Sequence, residues 1–289
     1  MVPYSALTRS GNVADLLAPG LWWLHGTRGS NVFLLEADDG QLALVDTGFA
    51  SSVSAITREV QAHGGTLSAI LLTHKHRDHS GSAAALHERF GAPVIAGRGD
   101  CFEREGRLFL RSTVGRTHVG RFIAGSLRRG GAGPIPVDVA VTREAEILPG
   151  IRAIPVPGHT PGSLCFVVDR LDAAFVGDLV ISHHGELTRS MRMANHDDDQ
   201  YLETLRQFGS SAPGAGLPGH GTPIMHGFGE SLRTLAALPR RPMGIGTTRE
   251  RVVRMARFSR QLSRKRPHLH PGHDAEGTQH GVEPPARGR

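Results

Sequence analysis

The sequence predicts an α/β fold, and three observations predict it. Short β-branched and aromatic runs separated by Gly- and Asp-containing turns open the chain. Strand-like and helix-like periodicities then alternate along it. The most polar motifs directly follow apolar runs, at the strand ends where α/β proteins place their chemistry.

Taken in order, Gly20 to Leu24, Asn31 to Leu35 and Leu42 to Asp46 read as an antiparallel meander. Between Ser52 and His63 the apolar residues Val53, Ile56 and Val60 recur at helical spacing. Ala69 to Thr73 is a strand, Ser82 to Phe90 a helix with Ala85, Leu86 and Phe90 inward, and Pro93 to Ala96 a strand again. From Arg98 to about Asp138 the pattern weakens. This stretch reads as an insertion of one or two helices with a glycine-rich hinge at Gly130 to Pro134. Strands resume at Ile151 to Pro155, Leu164 to Val168 and Ala173 to Val176. A helix from Asp198 to Phe208, a short strand and turn at Gly216 to Gly221, and a helix near Gly229 to Leu238 follow. The spacing of Thr247 and Glu250 fits a capping box that opens a last helix. The expected organisation is one domain over 1–239, with 98–138 inserted over the site, a helical segment over 240–263, and a basic disordered tail over 264–289.

Apolar residues make up 39% of the 289, enough for a sizeable core. The net charge of +6 is unevenly placed: residues 240–289 hold 12 Arg and Lys against 4 Asp and Glu, a net +8, which leaves 21 against 23, a net −2, for the rest. A nucleic-acid partner is therefore not expected of the folded domain, because phosphate binding needs a basic face. The tail could touch nucleic acid or acidic partners, or simply solubilise the chain. Two cysteines, Cys101 and Cys165, are too few and too separated for a disulfide framework, and each is expected as a buried thiol in a reducing setting. Neither a leader pattern over Met1 to Ala18 nor a membrane-length apolar run occurs, so a soluble, unexported, cytoplasmic protein is expected. The sequence does not indicate an oligomeric state.

The densest chemistry lies in Thr73-His74-Lys75-His76-Arg77-Asp78-His79, directly after Ala69-Ile70-Leu71-Leu72. Neutral imidazole and carboxylate are ligands for zinc and similar metals, and such groups left unpaired at a strand end would be costly. Alternation points His74 and His76 to one side while Asp78 and His79 reach further along, which allows two groups of ligands and two metals. A solvated His-rich loop is the competing reading, since the chain has 17 His. Lys75 and Arg77 are expected to face away. Three further stretches end predicted strands with a Gly beside a His or Asp: Gly158-His159-Thr160-Pro161-Gly162-Ser163, Gly177-Asp178 and Pro218-Gly219-His220-Gly221. Taken singly each is as readily a turn residue as a ligand. Their shared form is what strengthens them.

These residues resemble the metallo-β-lactamase superfamily of hydrolases, over about residues 20 to 225. The resemblance rests on Asp46 in Val-Asp-Thr-Gly, the HxHxDH run at 74–79, the GHTPGS stretch, Gly177-Asp178 and Gly219-His220, all in the family's order. It implies an αββα sandwich carrying two divalent metal ions, most simply zinc, with iron or manganese equally suited to the ligands. It further implies His74, His76 and His159 on one ion, Asp78, His79 and His220 on the other, Asp178 bridging both, and Asp46 orienting the metal loop. The implied reaction is attack by a metal-bound hydroxide on a small acyl substrate, with Asp78 as orienter and proton shuttle.

Departures from subfamily patterns narrow the substrate. The bridging Asp178 disfavours a β-lactamase of the related subclass. The tyrosine that lactonases carry soon after the bridge is absent, with Leu179 to Ser182 in its place, and no glutathione-binding pattern is recognisable after His220. RNA-processing relatives do not usually carry the GHTPGS form. Ester or thioester hydrolysis remains, with lactone hydrolysis second and β-lactam or phosphodiester cleavage behind it. His183 and His184 could stand at the pocket mouth or be solvated loop residues. The insertion holds eight Arg against four acidic residues, so Arg104, Arg107 and Arg111 could receive an anionic acyl substrate or simply face solvent.

Overall fold

The computed structural model of the protein describes residues 14–113, 133–183 and 185–240. Strands β1 (Ala14–Ala18), β2 (Leu21–Leu24), β3 (Phe33–Glu36) and β4 (Leu42–Val45) form an antiparallel meander, of which β1 was not among the predicted runs. Helix α1 (Val53–Ala62) crosses to β5 (Ala69–Leu71), parallel to β4. The one-turn helix α2 (Arg77–Ser80) and helix α3 (Ala83–Phe90) then lead to β6 (Val94–Gly97), parallel to β5. The inward residues of α3 are Ala83 and Leu86, with Phe90 partly buried, whereas Ala85 is exposed. Spacings of three and four residues share a helix face, and Ala85 falls off the face that Leu86 occupies.

The start of the predicted helical insertion is a β-hairpin instead. β7 (Cys101–Arg104) and β8 (Arg107–Leu110) pair antiparallel, and β9 (Ile135–Pro136) adds a third strand. Glu105 and Gly106 both have positive φ, 53° and 71°, the backbone of a two-residue turn whose twist matches the strands it joins. That turn was unrecognised in the sequence because a glutamate rarely adopts this conformation. β10 (Val139–Val141), parallel to β6, completes a seven-stranded sheet ordered β1-β2-β3-β4-β5-β6-β10.

β11 (Ala145–Leu148), β12 (Ile151–Pro155), β13 (Leu164–Val168) and β14 (Ala173–Gly177) run antiparallel. A hairpin of β15 (Val180–His183) and β16 (Glu186–Arg189) precedes helix α4 (Asp198–Ser210), whose N-terminus is capped by the Asp197 carboxylate accepting from the N–H of Asp199 and Gln200. β17 (Ala215–Pro218) joins β14 in parallel, and helix α5 (Phe228–Ala237) follows. The second sheet is thus five-stranded, ordered β11-β12-β13-β14-β17.

Alternation along the strands sets the layers. Leu21, Trp23, Phe33, Leu35, Val45 and Leu71 of the first sheet meet Ile151, Phe166, Val168, Phe175 and Leu217 of the second, with Phe33 and Phe175 ring centroids 5.3 Å apart. The intervening residues Leu34, Leu44, Ile70 and Val94 face Ile56 and Val60 of α1 and Leu86 of α3. On the outer face of the second sheet, Cys165, Val167, Ala174 and Val176 pack under α4 and α5. The result is the predicted αββα sandwich. Each fully buried Leu, Ile or Phe in it contributes about 1.5–3 kcal/mol.

Cys165 is buried as expected, but Cys101, at the start of an edge hairpin, is only partly so. Residues 114–132, which hold most of the predicted hinge, His184, the helix predicted from Thr247 and the tail lie outside the described residues. No helix among the described residues is long and apolar enough to cross a membrane.

Candidate metal centre

The site forms where strands of both sheets end. Asp46 follows β4, His74 to His79 follow β5, His159 lies after β12, Asp178 follows β14 directly and His220 lies just after β17. The two sheets therefore contribute four and three of the predicted ligands respectively, and all seven converge.

They converge as two abutting groups. His74, His76, His159 and Asp178 offer ligand atoms within 4.8 Å of one another, as do Asp78, His79 and His220. In the first, His76 Nδ1 lies 3.0 Å from Nε2 of both His74 and His159. Asp178 Oδ2 is 3.5 Å from His159 Nε2 and 4.0 Å from His74 Nε2. In the second, His220 Nε2 stands 3.2 Å from both His79 Nε2 and Asp78 Oδ2. The other Asp178 oxygen, Oδ1, faces this group, 3.3 Å from His79 Nε2 and 3.4 Å from His220 Nε2. One carboxylate thus presents an oxygen to each group.

Neighbours fix which imidazole nitrogen faces inward. Asp46 Oδ2 accepts from His79 Nδ1 at 2.7 Å, which turns Nε2 into the cluster. Asn195 Oδ1 lies 3.1 Å from His159 Nδ1, and Ser190 Oγ 3.2 Å from it, with the same consequence. Asp46 also accepts from Thr73 N at 2.9 Å and Thr73 Oγ1 at 2.8 Å, so one carboxylate holds both the strand end and a ring.

Burial, reinforced by neighbouring His79 and His76, pushes His74 well below the ordinary imidazole range. His76 is lowered to about 4 by burial and then by His159, and burial lowers His159 as well. All three are neutral near pH 7, with lone pairs available. His79 is the exception: burial would lower it, but Asp46, Asp178 and Asp78 outweigh burial and hold it well above the ordinary range. Burial opposes the charge of Asp78 and Asp178, yet the surrounding histidines keep both below the usual carboxylate range, through His79 foremost for Asp78 and His220 foremost for Asp178.

This donor set fits divalent cations. Ligand atoms on a tetrahedral zinc at about 2.0–2.1 Å stand roughly 3.3 Å apart, close to the separations of 3.0 to 4.0 Å within the two groups here. Inward lone pairs on adjacent neutral imidazoles repel unless a cation lies between them. Asp178 Oδ1 is a buried oxygen aimed between two ring nitrogens, 3.3 Å from His79 Nε2 and 3.4 Å from His220 Nε2, a placement suited to a metal-ligating oxygen. Close approach is enforced by Gly219, where a Cβ would stand 2.5 Å from His79 Cε1 and 2.8 Å from Asp178 Oδ1.

The remaining predicted residues lie elsewhere. Arg104 and Arg107 pair across the exposed β7–β8 turn, Arg104 bonded to Glu105 at 3.2 Å, and exposed Arg111 stacks over Phe102 at 5.0 Å. His183 is exposed at the end of β15, opposite Glu186. Lys75 turns away from the ligands, as expected, to an ion pair with Asp100 at 2.9 Å. Sequence reading missed Asn195, Ser190 and Asn31, whose amide donates to the carbonyls of Pro218 and Gly221 at 2.7 and 2.8 Å and so holds the His220 loop. A polar Asn directly before an apolar strand was the available signal for Asn31. The other two had none.

Comparison with known proteins places this arrangement. The sequence profile of the metallo-beta-lactamase superfamily matches residues 25–241, and the chain belongs to that superfamily. YobT of Bacillus subtilis, an uncharacterized protein, is 29% identical over 206 residues, 66% of this chain and 82% of YobT. Thioesterase pkgB of Emericella nidulans is 25% identical over 72% of this chain and 49% of its own length. The atrochrysone carboxyl ACP thioesterase of the same organism is 25% identical over 81% and 65%. The chain thus spans about half to two-thirds of these fungal relatives. Among solved structures, TTHA1623 in a di-iron-bound form has 25% identity and a TM-score of 0.52 over 70% of this chain and 92% of that one. The archaeal superfamily protein ST1585 of Sulfolobus tokodaii, at 19% identity, TM-score 0.53 and coverage of 84% and 97%, shares the fold.

Proposed function

We propose that this protein is a dinuclear metal-dependent hydrolase of small thioesters or esters. The observation that carries the reading is the pair of abutting donor groups with Asp178 presenting one oxygen to each. His74, His76 and His159 would hold one divalent ion, Asp78, His79 and His220 the other, and Asp178 both. Zinc suits these ligands, and iron and manganese suit them too. Such a pair, when bound, would supply a nucleophile from water near neutral pH and offset the charge that develops on the acyl oxygen.

The chain's own residues do the rest. Asp46 fixes the ring of His79, and Asn195 with Ser190 that of His159, so the donors are oriented before any cation arrives. Asp78, whose side chain retains 20% exposure, is the member placed to take up a proton released from the attacking water and pass it to the leaving group. The names of the two fungal thioesterases favour a thioester over other acyl bonds. An anionic acyl group met by Arg104, Arg107 or Arg111, with His183 or His184 near the mouth, belongs to the same reading, as does a cytoplasmic location given two free cysteines.

Two measurements test it. Protein prepared with excess zinc should bind about two ions per chain, and saturation at one would overturn the dinuclear assignment. Against thioester, ester, lactone, β-lactam and phosphodiester substrates, kcat/KM should be highest for the thioester or ester. Preferential cleavage of any of the other three would overturn the substrate class.

A further inference from the structure

Asp100 is a buried carboxylate outside both donor groups, at the turn that follows β6. Its side chain has no exposure, and it receives four donors from two separate loops. From the loop that carries His74 and His76 come the Lys75 backbone N–H to Oδ2 at 3.0 Å and the Lys75 ammonium to Oδ1 at 2.9 Å. From the loop that carries His159 come the Thr160 hydroxyl to Oδ2 at 2.6 Å and the Gly162 N–H to Oδ1 at 3.1 Å. A carboxylate offers about four acceptor positions, so Asp100 is saturated and is not a ligand in waiting.

The backbone is built around this junction. A Cβ on Gly97 would lie 2.0 Å from the Gly162 carbonyl oxygen, one on Gly99 2.4 Å from that of Pro161, and one on Gly162 2.4 Å from Asp100 N. Three glycines thus let the turn after β6 and the His159 loop meet main chain to main chain, which sets the Asp100 carboxylate between the His159 loop and Lys75. Lys75 lies between two predicted ligands in sequence and supplies the countercharge that a buried carboxylate needs.

We infer that Asp100 is a positioning residue, clamping the His74/His76 loop to the His159 loop so that the three imidazoles of the first donor group are held at metal-binding separation. The inference rests on the dinuclear reading above. Its reach is asymmetric: the Asp78, His79 and His220 group receives nothing from Asp100 and is held by Asp46 and Asn31 instead.

The test is metal affinity at each position by chelator competition, with the visible spectrum of the cobalt-loaded protein, in wild type, Asp100→Asn, Lys75→Met and Lys75→Arg. Asp100→Asn keeps the shape but turns a donor toward donors. It should weaken the position that includes His159, the one that Asn195→Ala should also weaken, about tenfold or more, in line with the effect of removing an orienting partner from a metal site, alter that position's cobalt bands and leave the other position within about twofold. Weakening of the other position instead would overturn the inference. Lys75→Met should do the same to a smaller extent, and Lys75→Arg should restore it. A purely structural role would lower the melting temperature without changing either affinity, as a destabilising change in the core under α5, Leu232→Ala, should do. If Asp100→Asn does not fold, Thr160→Val, which removes one donor of four, takes its place with a smaller expected loss at the same position. Unchanged affinities and spectra in a folded variant overturn the inference while the dinuclear reading stands. A wild type that does not bind two ions overturns that reading itself.

Discussion

The Asp46 carboxylate lies 2.7 Å from Nδ1 of His79, and the residue that supplies it sits at φ 55°, in left-handed backbone that non-glycine residues seldom adopt. Such strain persists only where surrounding contacts over-determine it. Here they are the Thr73 N–H and hydroxyl and the bond from Asp46 N to the Leu71 carbonyl.

Asp46→Ala should therefore weaken metal binding by about 10- to 100-fold, with both ions still able to load in excess zinc. Asp178→Ala should be more severe and reduce occupancy at both positions, because a shared oxygen pair is lost. Metal content after dialysis against graded chelator checks the order. Equal retention in the two variants would remove the distinction between orienting and bridging roles.

Metal-free protein should lose stability as the pH falls from about 6.5 towards 4. His74, His76 and His159 have folded-state pKa values lowered by burial, His76 to about 4. In that window the unfolded chain takes up protons that the folded one does not, which favours unfolding. His79, raised, is protonated in both states below 6.5 and adds no slope there, while its own contribution is lost as pH rises through its folded value. Thermal melts of chelator-treated protein across pH 7 to 4 check the sign; a flat profile contradicts it.

Asn195→Ala should reduce affinity at the position that includes His159 by about tenfold, since Ser190 Oγ remains 3.2 Å from the same nitrogen. Adding Ser190→Ala should deepen the loss beyond the sum of the two single changes. Strict additivity in this double-variant cycle would show that they do not share the ring.

Arg189→Ala should destabilise the fold by on the order of 2–3 kcal/mol without changing metal affinity. This guanidinium is buried and donates to the carbonyls of Leu235, Ala236, Leu238 and Pro239, closing the C-terminus of α5. Denaturant unfolding beside metal titration separates the two effects.

How much of this was legible in the sequence follows from how local each signal is. The meander, α1 and the strands at 151–155, 164–168 and 173–177 repeat apolar residues at a strand or helix period, which a short window carries. The seven clustered His and Asp residues stand in short motifs at strand ends, and so were visible before any pairing was known. The β7–β8 and β15–β16 hairpins were not, because the first turns on a left-handed glutamate and the second on exposed residues of weak alternation. Asn195 and Asp100 were hidden for a different reason. Asn195 meets His159 from 36 positions away and Asp100 meets Thr160 from 60, and nothing in the local sequence names a partner at that distance.

The seam between the two sheets has a consequence for how the molecule comes into being. His79 and His220, 3.2 Å apart in the finished site, are separated by 141 positions along the chain. A nascent chain stopped before β14 holds His74, His76, Asp78, His79 and His159 but neither shared carboxylate oxygen, and one stopped before His220 still lacks a member of the second group. Closing so long a loop carries an entropic cost that packing between the layers must offset first. The centre is thus completed late in biogenesis, and tight loading with two ions would report that both halves of the sandwich have docked.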